Sequence, residues 1–356
     1  MSSKDKKHVR GQFYTTNSAY ILEGMPHPPA NARCVIEPFA GKGDLLDWIA
    51  ETRLPIEAYD IEPKREGVIL RDTLRNPPDY TDAWILTNPP YLARNKNGQK
   101  DIYDQYNTND LYKCFIHSIG DSCCGGILII PAGFFFSPRE VDARCRNAFM
   151  STYRLTKIRY FEESVFDDTS TTVVAIAFEK SPMKLTEQSV LWERLPAKEQ
   201  KTFVMSSEHD WIIGGDIYRL PIPKNISIRR HVEGNEIKPG EQQTYLTLNA
   251  LDTGTQTGRI GLEYKPGYVY PAKDCSRTFA TLLIKGHTLT EQDQIVLARD
   301  FNAFLESKRE AYWSLFLPQF RESKEYARKR IPFELAYHLL VYLIQQRTLA
   351  TNQSIP

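Results

Sequence analysis

The sequence predicts an α/β fold, a mostly parallel sheet with helices on both faces. Three observations carry that expectation. Short apolar runs alternate with segments of helical periodicity from about Cys34 to Phe178. A glycine-bearing break, Ala40-Gly41-Lys42-Gly43, falls where one apolar run hands over to a helix. The apolar run Ala83 to Leu86 stops abruptly on Thr87-Asn88-Pro89-Pro90-Tyr91.

Taken in order, Ser18 to Met25 reads as a short helix, followed by a proline-rich connector from Pro26 to Pro29. Cys34 to Phe39 is a buried strand, and Asp44 to Ala50 is a helix with apolar spacing of three and four. Ile56 to Asp60 is a second strand, and Val68 to Asp72 a short extended piece. Residues 92–109 are polar and rich in Asn, and read as a long loop that acts as a lid ordering on substrate. Asp110 to Ile119 is helical, Gly126 to Pro131 a strand, and Pro138 to Met150 a helix. Leu155 to Phe161 and Thr172 to Phe178 read as a hairpin at a sheet edge. The composition shifts around Ser181 to Gln188, which places a domain boundary there: 1–182, then 183–356. The second part holds short strand-like pieces, such as Val190-Leu191-Trp192, Trp211-Ile212-Ile213 and Ile217 to Leu220. It closes on helices from Glu291 to Phe316 and Pro332 to Gln346. Thr290 with Asp293 has the spacing of a capping arrangement.

The chain has 356 residues and a net charge of +1, so no global basic field marks a polyanion ligand. The part beyond Lys180 is mildly basic, with clusters at Arg219 to Lys238 and Arg321 to Arg330 as candidate phosphate contacts. The six cysteines show no CxxC pair and no zinc-like spacing with His, which argues for free thiols in a reducing cytoplasm and no metal. The polar start of the chain gives no secretory signal, and no apolar run reaches membrane-spanning length.

Asn88 to Tyr91 suits one task, holding a planar amino group. A strand ending on two prolines leaves a stiff turn at its carboxyl end, where ligands of open α/β sheets sit. Asn88 offers a side-chain acceptor, Pro89 a backbone acceptor and Tyr91 a flat face. An exocyclic amine is a poor nucleophile because its lone pair is delocalised. Two acceptors taking its hydrogens favour a tetrahedral nitrogen, and stacking holds the attached ring with roughly 1–3 kcal/mol. Glu37 at the end of the first strand would repel a pyrophosphate and welcome a cation. The glycine run is neither a Walker loop nor GxGxxG, because Leu46 holds the third glycine's place. Acidic residues at successive strand ends therefore point to an adenosine with a positively charged tail, such as S-adenosylmethionine. Asp60 is placed for the ribose diol and Asp72 for the adenine amine.

With these residues in view, the chain resembles DNA adenine-N6 methyltransferases in which the cofactor motifs precede NPPY and a recognition domain follows. The resemblance covers roughly residues 8–180. It implies a Rossmann-like S-adenosylmethionine-dependent catalytic domain with a seven-stranded, mostly parallel sheet. It also implies a C-terminal α+β DNA-recognition domain. Gly11 to Thr16 is similar to the family's N-terminal segment, with Thr15 at the methionine moiety, although Thr16 stands where proline is usual. Glu37-Pro38-Phe39-Ala40-Gly41-Lys42-Gly43 resembles the acidic-Pro-aromatic-x-Gly-x-Gly motif. Asp60 with Ile61, and Asp72, resemble the ribose and adenine contacts, and Asn88 also faces the cofactor. Phe166 resembles the aromatic that stacks on the flipped base opposite Tyr91. Asp167 replaces a frequent proline there, so Phe161 competes for the role. The resemblance implies duplex DNA as partner and, in a restriction-modification pair, an endonuclease acting on the same site. An RNA adenine, a protein glutamine, a cytosine amine and a silent nucleic-acid adaptor are the alternatives.

Overall fold

The computed structural model describes residues 15–166, 171–252, 259–271, 278–320 and 328–353. Its elements begin with Ser18–Ile21 (α1), Val35–Glu37 (β1), Asp44–Trp48 (α2), Ile56–Asp60 (β2), Ile69–Leu70 (β3) and Trp84–Thr87 (β4). Asp101–Gln105 (α3), Leu111–Ile119 (α4), Gly125–Pro131 (β5), Gly133–Phe136 (α5) and Glu140–Thr152 (α6) follow. Tyr153–Phe161 (β6), Val173–Lys180 (β7), Glu187–Leu195 (β8) and Glu199–Ser206 (β9) complete the series. The central strands are continuous apolar runs because both of their faces are covered. β1 and β4 are buried at every position, and β5 at all but Pro131.

The strands form one nine-stranded sheet in the order β3-β2-β1-β4-β5-β7-β6-β8-β9. β3, β2, β1, β4 and β5 run parallel. β7 enters antiparallel between β5 and β6. β8 then lies parallel to β6, and β9 closes antiparallel on β8. The sheet thus exceeds the expected seven strands, and β6 with β7 is not an edge hairpin. Trp192 of β8 accounts for the extension. It pairs across from Ile158, is fully buried, and packs edge-on against Phe135 at 5.3 Å. An indole so deeply sequestered keeps β8 with the sheet of the first unit.

The composition shift near residue 182 marks a turn between β7 and β8, not a break between domains. The chain divides into two compact units after Ile213. Residues 92–109 also differ from a plain loop. A 3-10 turn at Arg94–Lys96 and helix α3 interrupt them, and a bridge between Ala93 and Asp110 closes their base. Their exit is anchored by Lys113 of α4, which donates to Asn109 at 2.7 Å and pairs with buried Asp142 of α6.

The start of the described chain is fastened to β6. The buried Arg159 donates to the carbonyls of Tyr20 and Ile21 and pairs with Glu193 at 3.0 Å. Tyr20 donates its hydroxyl to Glu163 at 2.6 Å. Cys34, Cys114, Cys123 and Cys145 are free and buried, as expected, and Cys124 is free and half-buried. Cys275 lies outside the described residues.

The second unit is α+β. Ser227–His231 (β10), Glu241–Asn249 (β11), Gly261–Tyr264 (β12) and Phe279–Lys285 (β13) make an antiparallel sheet ordered β10-β13-β11-β12. Glu291–Tyr312 (α7) starts on a reciprocal capping box between Thr290 and Asp293, as its spacing predicts. Asn302 of α7 stands in for a neighbouring strand, accepting from Leu262 N and donating to Leu262 O at 2.9 Å each. Phe333–Gln353 (α8) is the final helix. Two expected strand pieces are something else: Trp211 to Ile213 is irregular, and Gly215–Arg219 is a 3-10 turn. No helix among the described residues is long and apolar enough to cross a membrane.

Candidate functional site

The sheet order reverses between β1 and β4, which opens a crevice at the carboxyl ends of the parallel strands. Four sequence-predicted side chains converge on that edge. Glu37 ends β1, Asp60 ends β2, Asp72 follows β3, and Asn88 follows β4. A cavity of about 520 Å³ runs along it. Phe39, Gly41, Asp60, Ile61 and Asp72 line the cavity together with Asn88 and Pro90. The glycine bend and the Asn-Pro-Pro-Tyr turn therefore share one space.

The bend is built by backbone conformations that favour glycine. Gly41 and Gly43 have φ of +53° and +86°, and Gly43 serves as the N-cap of α2. A Cβ on Gly43 would meet the Arg65 side chain at 2.4 Å. Asp60 holds the bend to the second strand. One of its oxygens accepts from Gly41 N at 2.8 Å, the other from Glu62 N at 2.7 Å. Ile61 beside it is half exposed and offers an apolar surface to the cavity. Asp72 accepts from Arg75 N at 3.2 Å and faces the Arg75 guanidinium at 3.4 Å.

Glu37 is 1% exposed and does not itself line the cavity; it is bonded to Phe39, which does. Oε1 accepts from Thr87 Oγ1 at 2.6 Å and from Phe39 N at 3.1 Å. Oε2 is buried with no hydrogen-bond partner. Burial pushes the carboxyl up to about 8, against the pull of the Thr87 and Phe39 donors, and Asp60 pushes the same way. A buried carboxyl with an open acceptor, next to a cavity edged by Asp60 and Asp72, fits the cationic tail of an adenosine ligand. The donor set therefore suits S-adenosylmethionine. Asp60→Asn is expected to weaken binding of that cofactor by about 10- to 10²-fold, the range of one charge-assisted hydrogen bond. The variant retains an acceptor for Gly41 N, and titration calorimetry makes the measurement.

Asn88 lines the cavity at 9% exposure, and its Nδ2 donates to Thr15 Oγ1 at 3.1 Å. Thr15 thus braces the Asn-Pro-Pro-Tyr turn and does not line the cavity. Pro38, Ala40, Gly43 and Pro89 are likewise not among the lining residues, although Phe39, Gly41, Asn88 and Pro90 beside them are. Tyr91 is not placed with an open face. Its hydroxyl reaches Asn88 Oδ1 and donates to the Ile129 carbonyl at 2.6 Å, and its ring meets Tyr112 edge-on at 6.2 Å. Burial raises its hydroxyl well above the usual tyrosine range.

Phe166 is 5% exposed and also lies off the cavity wall. Phe161 is wholly buried, edge-on to Tyr20 at 5.7 Å and beneath Arg159. Asp167 and Gly11 to Tyr14 lie outside the described residues.

Sequence reasoning missed part of the wall. Asn97, Gly98, Gln99 and Ile102 close one side of the cavity, and Arg71 and Arg75 another. The Asn-rich run after Tyr91 was the available signal, since a long insertion beside a site commonly serves it.

The segment from β4 through the Asn-Pro-Pro-Tyr turn to Phe166 is where the chain resembles a known family. Residues 83–166 match the Eco57I restriction-modification methylase family. The methylase match covers about a quarter of the chain and contains Asn88 to Tyr91. No curated relative matches the chain in sequence. Among solved structures, it is similar to the methyltransferase subunit of a type I restriction-modification system from Streptococcus thermophilus. That likeness is 13% identical, covers 59% of this chain and 56% of that one, and has a TM-score of 0.39. The type IIG restriction endonuclease BpuSI is 14% identical over 67% of this chain and 37% of its own, with a TM-score of 0.40. The EcoKI M protein is 12% identical over 87% and 71%, with a TM-score of 0.35. The chain spans half or less of the first solved structures it matches. The first unit has the Rossmann-like, mostly parallel α/β sheet that its motifs implied.

Of the basic clusters in the second unit, Arg229 is committed to Glu241 at 2.6 Å; its hydrogen bond, with that of the Lys238 N–H and against the small push of burial, lowers that carboxyl to about 2. Most of Arg321 to Arg330 lies outside the described residues.

Proposed function

We propose that the chain is a site-specific DNA methyltransferase acting on the exocyclic N6 amine of a flipped adenine, with S-adenosylmethionine as donor. The observation that carries this reading is the single cavity joining Gly41 and Asp60 to Asn88 and Pro90. The cofactor, when bound, supplies a methyl group activated on a sulfonium. Everything else falls to the chain. Asp60 accepts from the ribose, Asp72 from the adenine amine and Glu37 from the ammonium, with Phe39 and Ile61 as apolar walls. Asn88 Oδ1 and the Pro89 carbonyl take the two hydrogens of the target amine and release its lone pair, so orientation and polarisation do the work. Thr15 holds the Asn88 amide from behind.

Stacking of the target base between Tyr91 and Phe166 requires both rings to turn out of the positions described above. Tyr91 must release Ile129 to do so. The base is extruded at a cost of a few kcal/mol. On this reading the second unit, from Gly214, reads duplex DNA, and a partner endonuclease would share the site.

A labelled-methyl assay on unmethylated DNA, RNA and protein tests the reading. Modified-base sequencing of DNA from an expressing strain gives the mark and its context. Label confined to N6-methyladenine in DNA is the expected result. Label in RNA or protein alone, or in none of the three, overturns it.

A further inference from the structure

The segment that follows the catalytic turn is fastened over the cavity at points the proposed chemistry does not use. Its base is closed by the Ala93–Asp110 bridge and by Leu92 N donating to Asp110 Oδ1 at 3.1 Å. Inside it, Arg94 pairs with Asp104 at 2.7 Å, and Asn97 donates to the Tyr103 hydroxyl at 3.0 Å, which donates to Leu92 O at 2.9 Å. Its far side is tied to residues 72–75. Tyr106 donates to Leu74 O at 2.7 Å, and Asp101 at the start of α3 pairs with Arg75. Arg75 also faces Asp72, so one guanidinium bridges an acid of the cavity wall and an acid of the segment above it. Asn97, Gly98, Gln99 and Ile102 are the cavity-lining residues it supplies.

We infer that residues 93–109 are a strap over the adenosine end of the cavity, and that Arg75, held between Asp72 and Asp101, is its buckle. The inference rests on the cofactor assignment made above and concerns what retains an adenosine ligand there. A ligand amine that donates to Asp72 shares that carboxylate with Arg75, so occupancy and closure act on the same side chain. Departure of the ligand past Asn97 to Ile102 requires the Arg75–Asp101 pair to part. Arg75 and Asp101 are positioning residues; Asp101 does not line the cavity. Both are substantially exposed, at 43% and 60%, so the latch is weak and salt-sensitive.

The test is dissociation of S-adenosylmethionine from the full chain, chased with excess S-adenosylhomocysteine, together with hydrogen exchange of residues 97–105. Asp101→Asn is expected to speed dissociation about two- to fivefold, the reach of an exposed ion pair. Asp101→Glu should stay near the parent rate, and Asp101→Arg should exceed Asp101→Asn. The differences should fade near 1 M salt, where the screening length falls to about 3 Å. Amides 97–105 should exchange more slowly with cofactor in the parent, and less so in Asp101→Asn. Unchanged dissociation in Asp101→Asn and Asp101→Arg, with no cofactor-dependent protection, overturns the strap while leaving the cofactor reading intact. Absence of cofactor binding in the parent chain sinks both.

Discussion

Asn88→Ala is expected to lower methyl transfer by about 10²–10³-fold, the usual loss when one preorganised polar group is removed from a reacting centre. The side chain borders the cavity, and its Oδ1 is the carbonyl-type side-chain acceptor of the turn. Without it, the Pro89 carbonyl alone faces the amine, and one of the two hydrogens has no acceptor to draw it out of the ring plane. The fold should tolerate the change. Thr15 loses the Nδ2 donor, while Tyr91 keeps the Ile129 carbonyl for its hydroxyl. The stability cost is then about 1 kcal/mol, that of a single neutral hydrogen bond. Labelled-methyl incorporation at saturating cofactor reads the first quantity, and a gel-shift titration shows whether DNA affinity survives. Full turnover in the variant would remove Asn88 from the chemistry.

The second large effect concerns Glu37 and pH. Its carboxyl sits near 8 in the described state against an ordinary value of 4.5, chiefly because it is buried. It is therefore mostly protonated at pH 7. A ligand whose ammonium requires the carboxylate has to displace that proton. Affinity for S-adenosylmethionine is expected to climb as pH rises through the neutral range, approaching tenfold per unit, and to level off above about 8. Close to one proton should be released per cofactor bound at pH 7, measurable by calorimetry in buffers of different ionisation enthalpy. Glu37→Gln should flatten this dependence and bind more weakly at pH 8, by about 10²-fold for a charged hydrogen bond.

Stability has the opposite sign. A carboxyl raised on folding holds its proton more tightly in the native state, so native stability falls as pH rises from about 4.5 to 8. Without cofactor, Glu37→Gln should consequently melt above the parent at pH 8 and show little advantage at pH 4. A parent protein whose cofactor affinity is flat from pH 6 to 8 would contradict the assignment.

The sequence made the strand ends legible because each ends on a chemical discontinuity. Glu37 interrupts an apolar run, Asp60 terminates one, and Asn88 precedes two prolines; β1, β2 and β4 end at or beside these residues. Helix α7 was legible for a similar reason, since Thr290 and Asp293 form a cap that needs no tertiary partner. Features decided by distant packing were not legible. Nothing local to Val190-Leu191-Trp192 says that its indole will lie against Phe135, so β8 looked like the start of another domain. The orientation of Tyr91 depends on a carbonyl 38 residues away in β5, and an aromatic in that motif reads as outward-facing from sequence alone. The strap was visible as an insertion, but its ties to Asp72 and Leu74 depend on Arg75 and Tyr106, two residues unremarkable in composition.

The anchoring of Tyr20 and Ile21 by Arg159 has a practical corollary for protein engineering. Those carbonyls lie a few residues after Thr15, which props the Asn88 amide. A cleavage, fusion junction or deletion between residues 16 and 25 would cut the tether of that prop. A cut or junction there that spares the buried Ile21 and Leu22 would leave the adenosine site in place and still lower turnover, for want of one hydroxyl more than seventy positions upstream of the motif.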